Sequence, residues 1–151
     1  MARTWLQIRV ELEGGQDIEC DPPPGRIFMV GPAHTFAQLA EAIDLAFARW
    51  DLSHLHVFEL PDGRRVGFAD VDPDEHGWLD HEKLKVAREL APGEEFRYTF
   101  DLGDDWRHRC RVEEKIDPHL LFEAGSLPRQ PVVIWGWGWI PDQYGRVGPE
   151  G

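Results

Sequence analysis

The sequence is poor in cysteine and serine, has no long apolar run, and carries little positive charge for its length. Cys20 and Cys110 are its only thiols. That is too few, too far apart, for a disulfide framework or a thiolate zinc site, and both read as small buried apolar side chains in a reducing cytoplasm. No stretch approaches the ~20 apolar residues of a membrane span, and the N-terminal MARTWLQIRVELEGG turns acidic and alternating too early for a signal peptide. There are 28 acidic against 16 basic side chains, a formal charge of −12. Such a field repels phosphate polymers and anionic membranes within a Debye length of ~8 Å, so neither duplex DNA nor a membrane is an expected partner. An unknown protein or small ligand remains.

What is present is enough for one core. The 151 residues are 42% hydrophobic and 11% aromatic, which reads as a single domain over residues 1–151. Leu6, Ile8, Val10 and Leu12 alternate with polar residues, the pattern of a strand with one buried face. Residues 17–20 and 27–30 read as two short strands on either side of the proline-broken DPPPG. Thr35 and Gln38 have capping-box spacing, and Phe36, Leu39, Ile43, Phe47 and Trp50 form one apolar stripe, so HTFAQLAEAIDLAFARW reads as a helix. HLHVFEL is a further strand, residues 68–81 a mobile acidic excursion, and KLKVAREL a short helix. The fold class expected is α+β: a mostly antiparallel sheet packed by one main helix, with a β-grasp-like strand order left open.

The stretch FRYTFDLGDDWRHRCRVEE carries the most chemistry. Side-chain parity pairs Phe100 with Trp106, Tyr98 with His108 and Phe96 with Cys110, leaving residues 101–105 as a loop in which Gly103 is free to take positive φ. Three carboxylates in that loop, Asp101, Asp104 and Asp105, are read first as an Asx-type turn. The sharper alternative is a divalent-metal or general-base site joining them to His108, or to His54 and His56 of SHLHVF, because imidazole with carboxylate suits such ions. The metal-ligand candidates are His54, His56, Asp104 and His108, although their spacing matches no standard metal motif. Arg107, Arg109 and Arg111 form a stripe on the opposite strand face, read as a solvated surface answered by Glu.

The same residues resemble the plasmid pRiA open-reading-frame-three-like family. Its signature is an aromatic strand, then Asp-aromatic-Gly-Asp-x-Trp-x-His and a strand ending in Glu; Tyr98, Asp101, Gly103, Asp104, Trp106, His108 and Glu113 fit it. Trp50, His54, Leu55, His56 and Phe58 match its Trp-x-x-x-His-Leu-His-x-Phe segment. Near the C-terminus the likeness thins: Pro141 and Gly145 are kept, but Asp142-Gln143 stands where Glu-Asp is usual, and the family's Cys is missing. The resemblance implies an α+β domain of plasmids and mobile elements, of the kind labelled TnpR-like passenger proteins, with no established reaction. Ser53 and Ser126, the only serines, do not make a recombinase nucleophile with attendant arginines.

Finally, Trp135, Trp137 and Trp139 alternate with Gly136 and Gly138. An extended segment would set three indoles on one side, either as a clamp over the sheet or as an aromatic surface for a peptide, sugar or base. Two functions are carried forward. One is a non-catalytic binding or accessory module using His54, His56, the carboxylate hairpin and the tryptophans as one surface. The other is a metal-dependent enzyme, a hydrolase, built on the His/Asp cluster.

Overall fold

The computed structural model describes residues 4–71, 77–123 and 125–145. In chain order the strands are β1 (Trp5–Gly15), β2 (Ile18–Glu19), β3 (Gly25–Val30), β4 (His56–Glu59), β5 (Arg65–Gly67), β6 (Leu79–Asp80), β7 (Glu95–Phe100), β8 (Trp106–Ile116) and β9 (Val132–Trp137). The helices are α1 (Phe36–Ala46) and the single turn α2 (Val86–Glu89).

All nine strands among the described residues belong to one sheet, ordered β6-β5-β4-β7-β8-β1-β3-β9 with β2 appended to β1. Every pair is antiparallel except β5 with β6, so the sheet is mixed. This corrects the expected fold class. Strand makes up 39% and helix 15% of the described residues, with one substantial helix among them, so the structure is sheet-dominated rather than a helix-packed α+β domain. The physical reason lies in two segments. The tryptophan tail, read as a clamp over the sheet or an aromatic surface, instead joins the sheet, pairing with β3 as β9. KLKVAREL, read as a helix, forms one helical turn. The β-grasp order also fails, because β1 lies between β3 and β8 and is antiparallel to both.

The periodicities explain the core. Leu6, Ile8, Val10 and Leu12 all point inward and are at most 3% exposed. The Thr35 hydroxyl accepts from the Gln38 N–H while the Gln38 side chain accepts from the Thr35 N–H, so the capping box starts α1 as the spacing predicts. Phe36, Leu39, Ile43 and Phe47 are fully buried against the sheet. Trp50 leaves that stripe: Ala48 turns left-handed at φ 59°, the helix stops, and the Trp50 ring emerges 46% exposed. β7 and β8 pair Phe100 with Trp106, Tyr98 with His108 and Phe96 with Cys110, the register that parity predicts. On the outer face Arg97 pairs with Glu13, Arg109 with Glu95, and Arg107 with Glu19 and Asp105. Of the arginine stripe, Arg107 and Arg109 are thus answered by carboxylates, in exposed pairs that add little to stability.

Of the acidic stretch at 68–81, residues 69–71 form a 3₁₀ turn and residues 79–80 form β6, while 72–76 lie outside the described residues.

Candidate functional site

The 101–105 loop is a well-formed turn. One Asp101 carboxylate oxygen accepts the N–H groups of Gly103 and Asp104 at 3.1 and 3.2 Å, and the Asp105 N–H returns to the Asp101 carbonyl. Positive φ falls on Asp101 (63°) and Asp105 (59°), not on Gly103 as the sequence predicts. Asp tolerates that region because its short carboxylate bonds locally to the backbone. The remaining carboxylates are occupied: Asp104 accepts from the Gln16 amide at 3.0 Å, and Asp105 pairs with Arg107 at 3.0 Å.

His54 meets this loop. Its Nδ1 lies 3.4 Å from the Asp101 carboxylate, and its Nε2 lies 2.6 Å from the Tyr144 hydroxyl and 3.4 Å from Asp51. The Tyr144 hydroxyl donates to Asp51 at 2.7 Å, and Ser53 donates to the same carboxylate through both its hydroxyl and its N–H. These donors, Ser53 first, hold Asp51 well below the usual carboxylate range. Its partner Tyr144 is pushed up to about 12, chiefly by the hydrogen bond to Asp51. Trp50 packs edge-on against the Tyr144 ring at 5.0 Å. The result is a half-exposed cluster of two carboxylates, an imidazole and a phenol, flanked by Trp50.

The C-terminal segment 138–145 assembles the cluster by crossing the end of the sheet as a strap. Buried Arg49 donates to the Pro141 carbonyl at 2.6 Å and to the Phe47 carbonyl at 2.9 Å. Gln143, with no exposed surface, accepts the N–H groups of Trp50 and Asp51 and donates to the Asp51 carbonyl. Gln143 therefore performs the acceptor task that a carboxylate at this position could perform.

The other predicted site residues are elsewhere. His56 is core-facing, its Nε2 2.8 Å from Nδ1 of His81, and burial, followed by the neighbouring His81, lowers it to about 3. His108 donates through Nδ1 to the Tyr98 carbonyl at 3.0 Å, packs on Phe47, and is likewise lowered to about 3 by burial. Both imidazoles are neutral core residues. Among the described residues no group of three or more His, Cys, Asp or Glu is disposed to hold an ion, so the metal-dependent hydrolase reading is not supported. Both cysteines are free, and burial raises the Cys110 thiol.

Trp135 and Trp137 project from β9, separated from β7 by three strands, roughly 19 Å at the usual strand spacing. Trp137 lies beneath the Arg9 guanidinium at 4.3 Å, while Trp135 and Trp139 are 68% and 78% exposed. A side chain at Gly136 would displace the Arg26 side chain that lies over it.

Sequence reasoning missed Asp51, Ser53, Gln143 and Tyr144. The Asp51-x-Ser53 spacing of an Asx turn was the available signal for the first two. For Gln143 and Tyr144 there was only a departure from a familiar motif.

The fold is a single large antiparallel-rich sheet, and in this chain residues 138–145 lie over a His/Asp/Tyr cluster. The chain belongs to the plasmid pRiA4b ORF-3-like family, which it matches over residues 4–138. It is 30% identical over 113 residues to an uncharacterised protein, y4hQ, of Sinorhizobium fredii, covering 67% of this chain and 55% of that protein. The chain thus spans about half the length of this relative. Its fold is shared with a crystal structure of a protein of unknown function from Methanosarcina mazei Go1, at a TM-score of 0.70 and 24% identity, covering 90% of this chain and 71% of the other. No reaction is established for these relatives. No helix among the described residues is long and apolar enough to cross a membrane.

Proposed function

We propose that this chain is a non-catalytic binding domain of the cytoplasm, and that its docking face is the strapped end of the sheet. The partner is a cationic segment of another protein. The observation that carries this reading is the composition of that end. The Asp51 carboxylate stands beside the exposed rings of Trp50 and Tyr144, with the buried Asp101 and the Gln16-bound Asp104 adding negative charge behind it, in a chain of net charge −12. Carboxylates next to aromatic faces suit Arg and Lys side chains, which gain ion pairs and ring contacts together, and the overall field would speed their encounter. The polar groups of the cluster are already engaged with one another, which suits a rigid recognition surface. Trp135 and Trp139 on the far side of the sheet offer a second aromatic contact region. The two free cysteines fit a reducing compartment.

The test is an anisotropy titration with a labelled Arg/Lys-rich peptide and an Asp/Glu-rich control at rising salt. Salt-sensitive binding of the basic peptide alone supports the reading. Equal binding of both peptides, or of neither, overturns it.

A further inference from the structure

A second, separate site lies where the loop before α1 meets the segment after β8. Trp5, Gly31, Pro32, Ala33, His34, Leu127, Pro128 and Arg129 enclose a cleft of about 300 Å³. Its walls are almost entirely apolar: an indole, two prolines, an alanine and a leucine. Its floor is built rather than incidental. His34 is 4% exposed, and its Nδ1 accepts the Gly31 N–H at 2.8 Å. Nε2 therefore carries the proton and donates to the Pro128 carbonyl at 3.1 Å, tying the two walls together. Trp5 packs edge-on against that imidazole at 5.0 Å. A side chain at Gly31 would come within 2.9 Å of the Trp5 ring, so the walls approach as closely as glycine permits.

The charge at this cleft is opposite in sign to that of the chain as a whole. Arg129 lines it, and Lys85 lies close enough to His34 to disfavour a second positive charge there. Neither the Arg129 guanidinium nor the Lys85 ammonium makes an ion pair or hydrogen bond with any described residue. Most outer-face arginines, by contrast, are matched with a carboxylate. An apolar, pre-formed cleft at the small end of small-molecule site volumes, with an uncommitted guanidinium at its rim, has a defined complement. We infer that this cleft binds a small carboxylic acid with an apolar body, the body against Trp5, Pro32, Leu127 and Pro128 and the carboxylate on Arg129. A guanidinium–carboxylate contact of this kind is charge-assisted and discriminates against neutral isosteres.

The probe is phenylacetate, with phenylacetamide as its uncharged counterpart, titrated into the full chain by calorimetry and by following the Trp5 indole in NMR spectra. Phenylacetate is expected to shift Trp5 and to bind about tenfold more tightly than the amide. Arg129→Gln, an exposed change that leaves the fold intact, is expected to bring phenylacetate down to the amide's affinity. Ala33→Phe, which obstructs the cleft, is expected to abolish both. The inference is overturned by equal binding of acid and amide, by undiminished phenylacetate binding in Arg129→Gln, or by no response of Trp5 up to about 10 mM. Binding confined to peptides with a hydrophobic C-terminal residue would equally overturn the small-molecule assignment.

Discussion

Gln143 clasps the backbone of Asp51 at two points: its side-chain oxygen accepts the Asp51 N–H at 3.0 Å, and its amide donates to the Asp51 carbonyl at 2.8 Å. The clasp fixes the loop that carries Asp51 and His54 and brings Tyr144, one residue further on, over both. Gln143→Ala should therefore do two things. It should destabilise the protein by about 1–3 kcal/mol, the cost of leaving buried backbone groups unpaired. It should also release Tyr144, seen as a phenol titrating nearer its ordinary range. Gln143→Asp loses the donor to the Asp51 carbonyl and buries a carboxylate, so it should not restore the stability. Urea denaturation of the two variants with ultraviolet titration of tyrosine checks both statements.

The turn at Asp101 predicts a mild response to charge removal. Asn accepts the same Gly103 and Asp104 N–H groups and tolerates the left-handed backbone, so Asp101→Asn should cost about 0–1 kcal/mol. Asp101→Ala loses the cap and strains the φ of 63°, and should cost more. Thermal melts of both variants with and without added divalent metal are the measurement. A metal-dependent melting temperature in the parent that disappears in Asp101→Asn would contradict the turn reading.

Two sets of buried groups give stability opposite dependences on pH. His56 and His108 are lowered to about 3 by burial. Below their unfolded value of ~6.5 the unfolded chain binds more protons, so stability falls from that pH down towards 3 and is unaffected above it. Asp44, which accepts the Tyr98 hydroxyl at 2.7 Å, is raised to about 8 by burial. Here the folded state holds the extra proton, so stability is lost as pH rises from ~4 to about 8. Urea midpoints should decline between pH 6.5 and 8 in the parent. Asp44→Asn should lack that decline and keep the acid-side loss. A decline of equal size in Asp44→Asn would remove Asp44 as its source.

Much of the fold was legible in the sequence, for identifiable reasons. The period-2 run Leu6 to Leu12, the Thr35/Gln38 capping box and the parity of β7 against β8 are local patterns, and each appears as the sequence dictates. The layering was not legible. Whether Val132–Trp137 stays a tail or adds a strand depends on β3 having a free edge, which no local pattern reports. The site was half legible for the same reason. His54 and Asp101 sit in recognisable motifs, but Tyr144 reaches them through a strap whose path depends on buried Arg49. His56 and His108 show the opposite failure: in sequence an inward histidine looks the same whether it faces a ligand or Phe47.

Duplex DNA should not bind appreciably at physiological salt, because a net charge of −12 opposes the counterion release that drives non-specific association. Filter retention of random-sequence DNA checks this; micromolar, salt-sensitive retention would contradict it and return attention to the mobile-element setting of the family.

The central claim is that the strapped end of the sheet is a recognition face for a cationic segment. Amide chemical-shift mapping of the isotope-labelled chain, titrated with the Arg/Lys-rich peptide, tests it most directly. The account predicts that shifts concentrate at residues 50–54, 101–105 and 142–145 and weaken as salt rises. Shifts confined to β9 and the outer sheet face, or a spectrum unmoved at saturating peptide, would contradict it.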